Sequence, residues 1–138
     1  MTGPVFVDTD VVLDLLARRE PFYPAAARFF SRVERGEVTA CVSALAFANL
    51  FYLLRKELGA ARAVEVLGKL RRLVTVLPVD DGVIERALTA GFRDFEDAIQ
   101  YHAALAGGAI CLVTRNLRDY PDPSIRICTA EEFLSQPR

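Results

Sequence analysis

The sequence predicts an α/β fold: a three-layer sandwich around a central, mostly parallel sheet of about five strands. Two observations carry this. Short β-branched runs alternate with longer segments of helical period, and the runs are continuously apolar rather than alternating, as in a sheet covered on both faces. The strand candidates are 4–8 (PVFVD), 38–42 (VTACV), 74–79 (VTVLPV), 109–114 (AICLVT) and 124–128 (SIRIC). Crossovers between parallel strands are expected to be right-handed.

Between the strands, Phe22, Ala26, Phe29, Phe30 and Val33 recur at helical spacing. So do Leu50, Leu53 and Leu54, and then Ala63, Val66, Leu67, Leu70 and Leu73. Ser43 is placed to cap a helix beginning at Ala44, with Gly59 to end it. Thr129 with Glu132 reads as a capping box for the last short helix. Gly107-Gly108, between a helix and a strand, suits a C-cap better than a phosphate loop.

The 138 residues fit one domain, 1–138, with no repeat or linker-like stretch, and 52% hydrophobic content argues against disorder. No apolar run reaches the roughly 20 residues that span a bilayer, and no secretory signal is evident, so a cytoplasmic location is expected. Cys41, Cys111 and Cys128 each fall in an apolar run, with neither zinc-site nor disulfide spacing, and read as reduced buried thiols. The net charge of −1 excludes a general polyanion-binding surface but not a local basic patch. Fifteen of the seventeen basic residues are arginines, a bias that codon usage explains as well as phosphate binding does.

In parallel α/β sheets the ligand sits beyond the carboxyl ends of the strands. Three polar groups fall there. Asp8 closes the first strand; Thr114, Asn116 and Asp119 follow the fourth; Asp94, Glu96 and Asp97 open the helix leading into it. Carboxylates that converge repel unless a cation offsets them or some stay protonated. Oxygen ligands without histidine or cysteine suit Mg²⁺ or Mn²⁺, which can activate water and stabilise a leaving oxygen in phosphodiester cleavage.

Each residue also has a plain structural reading. Asp94 can be an N-cap with Asp97 at its third position, Asp14 a first-turn acid facing a helix dipole, and Asp80-Asp81 a cap and turn. Asn116 and Asp119 fit an ordinary Asx turn. Asp8 resists such a reading, because a carboxylate at the end of a buried strand needs compensation. His102, the single histidine, lies inside a helix and reads as a surface or packing residue.

At these residues the chain resembles the PIN domain, the ribonuclease fold of VapC-type toxins from toxin–antitoxin pairs. The resemblance spans nearly the whole chain and keeps the family's order, from VFVDTDVVLDLL through VSALAFANLFYLLRK to DFEDAIQYHAALAGGAICLVTRNLRDY, and is closest to a bacterial branch with DFEDA and TRNLRDY wording. It makes Asp8 the first metal-binding acid and Asp97 the third. The second acid, usually glutamate, falls on Asn49, and the fourth on Asn116, with Asp119 as its stand-in. Position 10, often asparagine in the family, is Asp10, an auxiliary acid. Asp94 with Asp119 is expected to restore the missing charge, and Thr114 to orient an acid or water.

The resemblance implies a Mg²⁺- or Mn²⁺-dependent endoribonuclease acting on single-stranded RNA, the toxin of a toxin–antitoxin pair. Asp8, Asp97 and Asp119 are its expected ligands, Asp94 completes the catalytic set, and Arg93, Arg115 and Arg118 contact RNA phosphates. It further implies a homodimer and a small antitoxin partner, whose helix the apolar segments from Ala44 to Leu73 can receive. Asn49 and Asn116 support a different class, a PIN-like RNA- or protein-binding module with weakened catalysis. A third reading makes Asp8 the nucleophile and Asp10 the acid/base of a haloacid dehalogenase-like phosphatase; it lacks the required lysine, since neither Lys56 nor Lys69 follows Thr114. A receiver-like switch fails on the same missing lysine.

Overall fold

The computed structural model describes residues 3–121 and 123–136, so both ends of the expected 1–138 domain and position 122 lie outside the described residues. Among the described residues five strands form, each inside its predicted segment or one residue beyond it: β1 (Val5–Val7), β2 (Ala40–Ser43), β3 (Thr75–Leu77), β4 (Cys111–Val113) and β5 (Arg126–Cys128). All pairings are parallel, in the order β3-β2-β1-β4-β5. The helices are α1 (Thr9–Leu16), α2 (Tyr23–Glu34), α3 (Ala44–Leu58), α4 (Ala60–Leu73), α5 (Asp81–Thr89), α6 (Phe95–Ala106) and α7 (Ala130–Leu134).

The strands are shorter than their apolar runs because flanking residues serve the helices. Asp8 still donates its N–H to the Val113 carbonyl at 2.9 Å, but its side chain caps α1. Ser43 Oγ accepts from Ala46 N–H, Asp80 caps α5, and Thr129 with Glu132 forms the expected capping box. Gly59 both ends α3 and begins α4 at φ +80°, ψ 159°, a conformation nearly confined to glycine.

Side chains alternate across the strands and define the layers. Val5, Val7, Ala40, Val42, Cys111 and Val113 face a large core built with α1, α2, α3 and α4. Phe6, Cys41, Leu77 and Leu112 face the opposite way, onto Tyr101 and Ala104 of α6, and α5 packs outside α6 through Val83 and Ala87. All three cysteines are buried and free, with Cys111 and Cys128 Sγ atoms 3.3 Å apart on neighbouring strands. No helix among the described residues is long and apolar enough to cross a membrane.

The strand order sets the position of the site. The chain runs outward from β1 to β2 and β3, then returns to the other side of β1 as β4, so the order reverses between β1 and β4. Ligand crevices open at such a switch point. Val7 pairs with Val113, which sets Asp8 and Thr114 side by side at its mouth.

Phe29 is fully buried and meets Phe30 and Phe133 edge-on at 5.3 Å. Urea denaturation of Phe29→Ala should show a loss of about 3–5 kcal/mol, whereas Leu88→Ala, at a side chain 68% exposed, should stay within about 0.5 kcal/mol of the parent.

Candidate functional site: an acidic edge at the β1–β4 switch point

The Asp8 side chain is 3% exposed, and a carboxylate so buried must find donors. Four reach it. Oδ1 accepts from Asp10 N–H at 3.4 Å and from Gln100 Nε2 at 3.1 Å; Oδ2 accepts from Thr114 Oγ1 at 2.8 Å and from the Tyr120 hydroxyl at 2.9 Å. A carboxylate offers about four acceptor positions, so Asp8 is saturated by its own protein.

Gln100 ties two acids together. It is 1% exposed, its Oε1 accepts from Thr9 N–H and Thr9 Oγ1, and its Nε2 also reaches Asp97 Oδ1 at 3.4 Å. Its position three residues after Asp97 on α6 puts both on one helical face. Thr114, fully buried, donates to Asp8 while accepting from Asn116 N–H at 3.1 Å. Asn116 Nδ2 in turn donates to Asp10 Oδ2 at 3.1 Å.

The electrostatics follow from this crowding. Burial pushes Asp97 up to about 7, reinforced by Asp8, Asp94, Asp119 and Asp10. Burial and then Asp8 push Asp10 up to about 6, against a pull from Arg115. The Tyr120 phenol is pushed far above its usual range by burial and by Asp8, so it stays a donor. Among the described residues, no three acid, histidine or cysteine side chains stand as a ready metal cage.

Several expected residues are thus adjacent: Asp8, Asp10, Asp97, Thr114 and Asn116 are linked directly or through Gln100, and Asp119, exposed on the 3-10 turn Leu117–Asp119, acts on Asp97 through its charge. Asp94 is exposed and its Oδ1 caps α6, accepting from Glu96 and Asp97 N–H. The carboxylate beside Asn49 is instead Glu96: burial raises it, a hydrogen bond from Asn49 lowers it, and Asp94 and Asp8 raise it. Arg93 and Arg118 are exposed, as phosphate contacts require.

Asp14 departs from the expected first-turn acid. It lies in the second turn of α1, 1% exposed, paired with Arg19 Nε at 3.3 Å and Arg115 Nε at 3.0 Å. Burial raises it and the two arginines oppose that. Arg115 is therefore anchored by a buried acid, and its guanidinium lies 4.0 Å over the Phe22 ring. His102 packs against Phe92 and Tyr101, as a packing residue would.

Gln100 and Tyr120 were not expected at the site, and Glu96, named with its neighbours at the strand edge, was given no role of its own. The signal for Gln100 was a polar residue on the apolar face of FEDAIQYHAALA. Glu96 had only its place between two acids, and Tyr120 had none beyond following Asp119.

Comparison with known proteins agrees with the fold. The family model described as the PIN domain matches residues 4–118. No curated protein matches the chain significantly. Among solved structures, DNA-bound VapBC from Salmonella typhimurium is 21% identical, covering 94% of this chain and 99% of that one at a TM-score of 0.68. VapBC-1 from nontypeable Haemophilus influenzae is 14% identical, with coverage of 94% and 99% and a TM-score of 0.69. VapC20 of Mycobacterium tuberculosis, described as a Sarcin-Ricin loop cleaving toxin, is 19% identical, with coverage of 78% and 86% and a TM-score of 0.63. At these identities the likeness is one of fold. The family match, extending from just before β1 to the turn after β4, carries the stronger statement: the chain belongs to the PIN domain family.

Proposed function

We propose that the protein is a divalent-metal-dependent endoribonuclease cutting single-stranded RNA, and that it acts as the toxin of a toxin–antitoxin pair. The observation that carries this reading is the Asp8–Gln100–Asp97 link, which holds two acids together although burial and neighbouring charge oppose it. Family membership and the fold shared with VapBC structures support it. That shared fold is also the ground for proposing a small antitoxin partner and a homodimer.

The donor set fits a hydrated Mg²⁺ or Mn²⁺, which takes oxygen ligands, keeps several waters and needs few protein carboxylates. Asp97 would be the direct ligand best placed, since among the described residues Gln100 is its single side-chain partner. Asp8 would be a second ligand in place of one of its donors, of which Asp10 N–H at 3.4 Å is the longest. Asp119, Glu96 and Asp10 add charge at the edge, and Asp94 fixes the start of α6. When bound, such a cation polarises a phosphoryl oxygen and acidifies water. The protein's own part is to hold Asp8 rigid through Thr114, Tyr120 and Gln100, to accept a proton at Asp10 near neutral pH, and to attract phosphates through Arg93 and Arg118.

Incubation of a mixed single-stranded RNA pool with Mg²⁺ or Mn²⁺ tests this. Cutting should depend on the metal, stop with EDTA and fall at least about 100-fold in Asp8→Asn; a fully active Asp8→Asn chain would overturn it. Inert but folded wild-type protein would favour the binding module, for which Asn49 and Asn116 are the supporting residues, and phosphate trapped on Asp8 would favour the phosphatase.

The raised acids also set a pH dependence. Asp97 binds its proton more tightly folded than unfolded, where its value is about 3.9. The folded state therefore holds more protons between about pH 4 and pH 7, and stability falls as pH rises through that window. Thermal melts without metal should show a lower Tm at pH 8 than at pH 5, a smaller fall in Asp97→Asn, and recovery at pH 8 on adding Mg²⁺.

Tyr120→Phe removes one of the four donors to the buried Asp8 side chain. Urea titration of the metal-free chain should show a loss of about 1.5–3 kcal/mol.

A further inference from the structure

The acidic edge continues along α1 into a second arrangement. Asp14 follows Asp10 by four residues, about 6 Å along the helix axis, a step a single nucleotide spans. Asp10 meets Asn116 there, and Asp14 meets Arg115. Arg115 is gripped twice, its Nε by the buried Asp14 carboxylate at 3.0 Å and its face by the Phe22 ring at 4.0 Å, while its terminal amino groups hydrogen-bond to none of the described residues. Asp14 sits between two arginines, which leaves the group one positive charge in excess beside an edge of acids.

Asp14, Arg115 and Phe22 wall a cavity of about 170 Å³. Its remaining lining is Val11, Ala25, Ala26 and Ala130, with Thr129 and Glu131 adding polar groups. A cavity of about 150 Å³ holds a benzene ring, so the space admits one six-membered ring. Phe22 is 40% exposed, an aromatic surface left partly uncovered at the cleft.

We infer that this cleft binds an unpaired nucleobase of the RNA strand whose phosphodiester lies at the Asp8–Asp97 edge; the inference rests on the ribonuclease reading. A strand leaving the acids along α1 meets the excess positive charge first, which draws in the next phosphate. Its base then reaches an aromatic ring and a planar guanidinium, the surfaces on which single-stranded bases stack. Glu131 supplies an acceptor for an exocyclic amino group, and the one-ring volume favours a pyrimidine.

The test compares binding, by fluorescence anisotropy in EDTA, of a ten-nucleotide oligocytidylate with a fully abasic ribose-phosphate decamer of equal charge. The wild-type chain should bind the intact strand about 5- to 150-fold more tightly. Phe22→Ala should lose most of that margin with its affinity for the abasic strand unchanged, and Phe22→Tyr should keep it. Equal binding of the two strands by the wild-type chain, a measurement that needs no variant to fold, overturns the inference and leaves the cleft to a protein partner's side chain. So does an intact margin in folded Phe22→Ala. Either result alongside Asp8-dependent cutting removes the base subsite alone, whereas absence of both RNA binding and cutting removes the ribonuclease reading with it.

Discussion

A single carboxylate, Asp8, governs the architecture around the switch point. Placing a charge at the end of a buried strand is unfavourable unless its acceptor positions are filled, and here all four are. Each donor comes from a different place: the first turn of α1, the buried face of α6, the end of β4 and the turn beyond it. Four separate pieces of chain must therefore stop, turn or dock within hydrogen-bond reach of one group. The Val7–Val113 register follows the same logic, since a slip of one residue would turn Thr114 away from Asp8.

Charge economy shapes the rest of the edge. Asn49 and Asn116 both face carboxylates, Glu96 and Asp10. An amide beside a carboxylate donates a hydrogen bond where a second acid would repel. The edge still carries enough like charge to lift Asp97 and Asp10 toward neutrality. The excess positive charge of the Arg19–Asp14–Arg115 group stands directly alongside.

The fold was legible because its signals are local. Continuous apolar runs mark the strands, Ser43, Asp80 and Thr129 mark helix starts, and the rule for parallel sheets then locates the crevice. Asp8 was legible for the same reason, as a charge where burial was expected. What stayed hidden depends on contacts far apart in the chain. Gln100 is an ordinary helix residue until α6 packs under β1, and Tyr120 is an ordinary core aromatic until its hydroxyl finds Asp8. Asp14 was misplaced because a short helix leaves little periodicity to show which face is buried, and its two arginines arrive from opposite directions. Glu96 was named with its neighbours but given no role, because its pairing with Asn49 joins α6 to α3.

The distance along the chain between Asp8 and its partners has a consequence for synthesis. Gln100, Thr114 and Tyr120 lie 92, 106 and 112 residues downstream. At about 5–20 residues per second, the ribosome needs roughly 6–22 s to travel from the first acid to the last of its donors. For most of that interval the nascent chain holds Asp8 without three of its four supports and without Asp97. A protein that cuts RNA would thus be assembled on its own message while its site is still incomplete, a safeguard arising from topology alone.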